Sequence, residues 1–309
     1  MQKALVVIGT LAAFTQAHFH PVNEYIIQQI REKATTWEPM EIETNPLHHM
    51  TIDQVKGLLG TIHSTESDFP EPIVAEDFVA NGAFDSRTQW GAWVHPIRDQ
   101  AQCGSCWAFG ASEALSDRFA IQTAGKTNVV LSPQDMVSCD KAELACDGGY
   151  LNKAWNYLEG TGVVSDACMP YTSGAGKVAA CPASKCTGSG SWSKYKCKSG
   201  STVTARTIAG IQSEMQARGP METSFNVYSD FMNYKSGIYK HVSGYLEGGH
   251  AIKVLGWGNS AGTDYWICAN SWGPSWGESG FFRIAFGECG IDSAVYGCTV
   301  AASTMEFEQ

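Results

Sequence analysis

All eleven cysteines of this 309-residue chain lie between positions 103 and 298. The first third therefore folds without covalent support, while the remainder carries enough thiols to be stapled throughout. The count is odd, so ten can pair and one is left over, as a bystander or as a reactive group. The length allows one large domain or two ordinary ones, plus a removable leader. Hydrophobic residues make up 44% of the chain and charged ones 17%, a globular balance.

Residues 1–17 begin with Lys3, continue as an apolar run from Ala4 to Phe14, and end in a small Ala17 before His18. This order predicts a secretory signal peptide, with a buried N-terminal helix as the alternative. A signal places the rest in the secretory pathway, bound for a lysosome-like vacuole or the exterior, where disulfides form. After it, no stretch is long and apolar enough to span a bilayer. The net charge is −10, and residues 18–79 hold three basic against eleven acidic side chains. Nothing basic enough for nucleic-acid binding occurs. This acidic segment predicts two short helices, Val22 to Ala34 and Thr51 to Leu59, the latter N-capped by Thr51 and closed at Gly60. Alone it is marginal, so it is expected to rest on the remainder of the chain.

Downstream, Ser105 to Thr123 predicts a helix stopped by Gly125, and a second runs from about Tyr150 to Glu159. Residues 172–201 read as a stapled loop. Beyond Gly219-Pro220 the pattern turns strand-like, with short runs at Ala251–Trp257, Tyr265–Asn270 and Gly280–Phe286. Helices early and strands late predict an α+β protein of two packed halves.

The most informative stretch is Gln100-Ala-Gln-Cys103-Gly-Ser-Cys106-Trp107. Cys106 sits where a loop becomes a helix, and the partial positive charge there favours a thiolate. The free N–H groups of the first turn can receive an oxyanion. Trp107 can fix the turn by packing. Cys103 and Cys106 also spell Cys-x-x-Cys, but zinc needs a second close pair, which is missing. A redox site needs a βαβ context, and no strand precedes the motif. No metal or cofactor is expected.

A thiol with an ordinary pKa of about 8.5 is ionised in roughly one molecule in three thousand at pH 5, so the nucleophile needs a base. Of eight histidines, His250 opens a predicted strand after Gly248 and Gly249, which let a substrate backbone come close. Taken alone, such a histidine is more often structural. It lies 144 residues beyond Cys106, within the range of about 130–150 typical of cysteine proteases of the papain type. Asn270, twenty residues on, can orient its ring, and Trp272 can shield that bond from water.

These segments resemble the papain superfamily of cysteine proteases, of which Cys-Gly-Ser-Cys-Trp is a local signature. Phe84–Trp90, Cys146–Tyr150, Tyr228–Phe231, Tyr234–Tyr239 and Thr35–Trp37 resemble its cathepsin B branch. The resemblance implies a two-lobed fold, a helical left lobe and a β-barrel-like right lobe with the cleft between. It implies a signal peptide at 1–17, an inhibitory propeptide at 18–79 and a mature peptidase domain at 80–309. It assigns Cys106, His250 and Asn270 to catalysis, Gln100 to the oxyanion hole, and Gly148, Gly149, Gly249, Trp272 and Ala294 to the substrate cleft. It implies disulfides Cys103–Cys146, Cys139–Cys181 and Cys168–Cys186, the last two exchangeable, and leaves Cys197 and Cys298 unassigned. Cys289 resembles an unpaired position, and Cys268 reads as a buried strand residue. One family bridge is absent, with Trp93 and Ala120 in its place. Polypeptide substrates, the chain's own propeptide and cystatin-type inhibitors are the implied partners.

Two departures bear on specificity. The branch carries an occluding loop whose paired histidines grip a C-terminal carboxylate, but residues 172–186 contain none. Endopeptidase cleavage without dipeptide trimming is expected. Ala294 replaces a glutamate that accepts arginine at P2, so an apolar P2 residue is expected. The acidic leading segment is either a pH switch, in which acid weakens docking and permits cleavage near residue 80, or a solvated face. A catalytically dead binding relative and a stapled interaction domain are the rival readings. The first would ordinarily lack the nucleophile, and the second leaves the odd cysteine unexplained.

Overall fold

The computed structural model describes residues 20–64, 69–75 and 78–302; the signal-peptide reading of residues 1–17 lies outside them. Among the described residues three α-helices precede Cys106: α1 (Glu24–Lys33), α2 (Ile52–Lys56) and α3 (Ser86–Trp90). Thr51 and Gln54 close α2 with a reciprocal capping box, but the helix ends at Gly57 rather than Gly60. The cap fixes where the helix starts, and Leu58 and Leu59 leave it to run onward.

The left lobe is built on α4 (Cys106–Gln122), with α5 (Pro133–Cys139) and α6 (Leu151–Gly160) against it. Almost every residue of α4 is buried, including Glu113, Asp117 and Arg118. A helix buried all round has no polar face to show. The sequence reading passes over α5, although Ser132 caps it and Pro133 opens it. It also passes over α7 (Ile208–Arg218), capped by Thr207.

Nine described strands form one sheet, in the order β1 (Trp37–Pro39), β5 (Tyr234–Tyr239), β8 (Phe281–Ala285), β7 (Thr263–Ala269), β6 (Leu246–Ser260), β4 (Met221–Tyr228), β9 (Val295–Gly297), β3 (Val203–Ala205), with β2 (Phe84–Asp85) beside β6. Among the described residues the sheet is open, in keeping with the expected α+β architecture of two lobes. Its outermost strand β1 comes from the leading segment, and Trp37 pairs opposite Gly237. Strand edges are natural templates for such an addition. Early strands and the late helix α7 thus blur the expected order of helices first and strands last.

The larger apolar core joins both parts of the chain. Val22, Ile26, Ile30, Trp37, Met40, Leu47, Val55 and Leu58 from the leading segment are buried with Phe225, Phe231, Trp276 and Phe282. This burial explains why the segment needs no cysteine. A second core packs α4, α5 and α6 around Trp107, Phe119 and Trp155. At the end of α4, where a family bridge is absent, the Trp93 ring lies against Gly125, whose φ of 80° suits a residue without Cβ.

Candidate active site

Cys106 is the first residue of α4. The Ser105 side chain does not cap the helix; its hydroxyl bonds to Tyr171 Oη at 2.9 Å, and Tyr171 donates to the Gln100 carbonyl at 2.8 Å. The Ala108 and Phe109 N–H groups donate to the Ser105 carbonyl at 2.9 and 3.1 Å, so the helix start is closed by backbone and the Cys106 N–H is left without an intrahelical partner. The disulfide Cys103–Cys146 and the bond from Gly104 N–H to the Cys146 carbonyl, 2.9 Å, fix the turn. Trp107 is fully buried and donates to the Ala145 carbonyl at 3.1 Å.

His250 lies within β6, paired opposite Phe225 of β4, instead of opening a strand. The extended Gly248 and Gly249 continue the ladder ahead of it, opposite Val227 and Asn226. Its Nε2 donates to Asn270 Oδ1 at 2.7 Å. That oxygen also accepts the Ser271 N–H at 2.8 Å, which fixes the amide orientation and leaves Nδ1 as the basic nitrogen. Nδ1 is buried and makes no hydrogen bond. The Trp272 ring lies 4.7 Å from the imidazole, centroid to centroid, and covers the pair. The N–H of Ala251, the next residue, is directed at the Cys106 sulfur. His250 and Asn270, distant in sequence, are thus bonded to each other, and the residue after His250 reaches the Cys106 sulfur.

The leading segment fills the space above them. Thr61 Oγ1 lies 3.3 Å from Cys106 Sγ. Thr61 N–H donates to the Gly249 carbonyl at 3.1 Å, Ile62 N–H to the Gly149 carbonyl at 2.9 Å, and Gly149 N–H to the Gly60 carbonyl at 2.8 Å. Gln100 Nε2 donates to the Leu58 carbonyl at 3.0 Å, and its Oε1 accepts from Ser271 Oγ at 2.7 Å. Gly148, at φ 118°, approaches Gly60 so closely that a Cβ there would lie 2.9 Å from the Gly60 carbonyl oxygen. Ala294 packs at the edge of the left-lobe core. Residues 58–62 thus hold the donors and backbone that the sequence reading assigned to a substrate. Leu58–Thr61 resembles the family propeptide in sequence, but the place of Thr61 against the thiol escaped that reading, because nothing local marks it.

Burial governs the charge states. It pushes the Cys106 thiol up, against the Thr61 hydroxyl and the Ala251 and Gly60 N–H groups, with Glu222 adding to the rise. Burial lowers His250 to about 4, although Asn270 favours its charged form. Covered in this way, both groups favour their neutral forms, a thiol and an imidazole. Behind it stand carboxylates that the sequence reading also missed. Glu222 receives Trp155 Nε1 at 2.7 Å and is held well above the usual carboxylate range by burial. Glu143 accepts the Tyr150 N–H at 3.0 Å and is raised by burial to about 8.

Four disulfides form: Cys103–Cys146, Cys139–Cys181, Cys168–Cys186 and Cys197–Cys298. Cys106, Cys268 and Cys289 are free, so three thiols remain unpaired, not one. Cys268 is fully buried in β7, where oxidation has no room. The carboxylates described in the leading segment are all exposed. Glu41 pairs with Arg31 of the same segment, and Glu71 reaches Arg206 of the domain. Among the described residues, docking is carried largely by apolar burial, with Glu71–Arg206 as an ion pair across to the domain.

A family model described as papain family cysteine protease matches residues 80–299. The chain is 39% identical to a gut-specific cysteine proteinase of Caenorhabditis elegans, over 94% of this chain and 97% of that protein. It is 38% identical to cathepsin B-like cysteine proteinase 4 of the same organism, over 94% and 98%. Among solved structures, a procathepsin B from Trypanosoma congolense superposes with a TM-score of 0.84 at 29% identity, covering 91% of this chain and all of that one. With the nucleophile loop, the histidine strand and a proform-like leading segment meeting in one cleft, this chain belongs to the papain family of cysteine proteases and is cathepsin B-like.

Proposed function

We propose that the chain is the zymogen of a cysteine endopeptidase, with residues 18–79 as inhibitory propeptide and 80–309 as mature domain. The observation that carries this is the occupancy of the cleft. Residues 58–62 lie over Cys106 and take the Gln100 amide and the Gly149 and Gly249 backbone. Once they leave, water reaches the pair and the charged state is no longer penalised by burial. The thiolate then attacks the scissile carbonyl carbon. Gln100 Nε2 and the Cys106 N–H hold the oxyanion, and the imidazolium gives its proton to the departing amine. A water activated by His250 next attacks the thioester, releases the acid and restores the thiol. Asn270 keeps the ring in register through both steps.

Specificity belongs to the same proposal. The loop at 172–186 has no histidine to hold a C-terminal carboxylate, and most of it past Gly174 is exposed. This supports internal cleavage with little dipeptide release. Ala294 supports an apolar P2 residue, because nothing charged there offsets the desolvation of a guanidinium. The disulfides support passage through the secretory pathway, to a vacuole or the exterior. Polypeptides are the substrates, and cystatin-type inhibitors fit the same cleft.

The test is labelling by a thiol-directed epoxide and then peptide cleavage. After processing, Cys106 should be labelled, C106S should be inert, and a Phe-P2 peptide should be cut faster than its Arg-P2 counterpart. An unlabelled Cys106 would remove the protease reading. Equal or faster turnover of the Arg-P2 peptide would remove the specificity.

A further inference from the structure

Glu247 stands on β6, three residues before His250. Its Oε1 accepts the Ser229 hydroxyl at 2.5 Å, which keeps the carboxylate aimed. Its Oε2 lies 3.5 Å from Lys56 Nζ, and the two side chains are 9% and 51% exposed. Lys56 is not an arbitrary surface lysine. It lies two residues before Leu58, whose carbonyl takes the Gln100 amide. Glu247 also lines a cavity of about 240 Å³ walled by His20, Pro21 and Ile26 of the leading segment. Removing residues 18–79 would take away both the cover and the cation, leaving an oriented carboxylate on the same strand as His250, three residues before it.

The chemistry of the reaction says which half of a substrate would meet it. The acyl half runs along Gly149 and Gly249, where Thr61 and Ile62 now pair. The Leu58 carbonyl marks the oxyanion position. The leaving amine must lie on the imidazole side, because His250 gives it a proton. Lys56 precedes Leu58, on the far side of that carbonyl from Thr61, and meets Glu247 there.

We propose that Glu247 selects lysine or arginine on the leaving-group side of the scissile bond, and that Lys56 imitates that residue in the zymogen. This rests on the protease reading above. A partly exposed ion pair has a modest effect, about 3- to 5-fold in kcat/KM, and it weakens with salt.

Three quenched peptides with Phe at P2, differing only in Lys, Ala or Glu at the two positions after the scissile bond, would test this on the processed enzyme. The Lys peptide should exceed the Ala peptide about 3- to 5-fold, and the Glu peptide should fall below both. The Lys/Ala ratio should approach one in E247Q, and also in the unaltered enzyme at about 0.5 M salt. E247K should prefer the Glu peptide. Because each readout is a ratio within one protein, a loss of folded enzyme does not imitate it. A wild-type ratio of one or less overturns the proposal, as does a ratio that survives E247Q. Failure to cut any peptide, with Cys106 unlabelled, sinks the protease reading and this proposal with it.

Discussion

At the residue scale, the imidazole is held by one amide. Asn270 Oδ1 takes the Nε2 proton, and without it the buried ring can rotate away from sulfur. N270A should lower kcat about 100-fold, the cost of a misplacement near 1 Å. Progress curves on a Phe-P2 peptide would check this, and an unchanged kcat would remove Asn270 as the orienting group. Glu143 bears on stability. Its folded value of about 8 exceeds its ordinary 4.5, so folding takes up a proton between those limits. The stabilisation is complete below about 4.5 and is lost as pH rises through about 8. The thermal midpoint should therefore fall by about 5 °C from pH 5 to pH 8, and E143Q should flatten that fall. A slope equal in both proteins would contradict it. The sequence could not reveal Glu143, because a carboxyl is singled out only by the chain that buries it.

At the element scale, the strand across the cleft is admitted by one missing atom. A Cβ on Gly60 would lie 1.9 Å from the Gly104 carbonyl oxygen, and backbone cannot yield there. Gly60→Ala should lift residues 58–62 from the nucleophile, since overpacking of this kind costs about 1–3 kcal/mol. Alkylation of Cys106 in the unprocessed chain should speed up about 10-fold. An unaltered alkylation rate would show that the strand does not guard the thiol. Helices with clear caps or stops were the readable elements. Thr51 with Gln54 marks α2, and Gly125 marks the stop beyond α4. α5 shows how a capped helix can be missed when its buried residues include Gln134, Asp135 and Ser138, which carry no apolar period.

At the scale of the whole molecule, the lobes are tied by a buried guanidinium. Arg118 of α4 donates to Glu214 at 3.0 Å and to the carbonyls of Pro220, Cys298 and Gly219 at 2.7, 2.6 and 3.1 Å. R118M would leave Glu214 short of a partner and three carbonyls unserved, a loss of about 3–5 kcal/mol. Denaturant titration would report it, and a change below about 1 kcal/mol would show that the tie is dispensable. Cys106 could be singled out because a thiol at a helix start sits in a recognisable local signature. His250 could not be chosen from its neighbours alone, and the 144-residue offset from Cys106 singled it out. The α+β class came from residue patterning, which is local. Only the tertiary structure could decide what lies over the thiol, which carboxylates are buried behind it, that three cysteines stay free, and that Lys56 faces Glu247. Burial, charge and pairing in these cases depend on residues tens to hundreds of positions apart. No local pattern encodes a distance across the cleft.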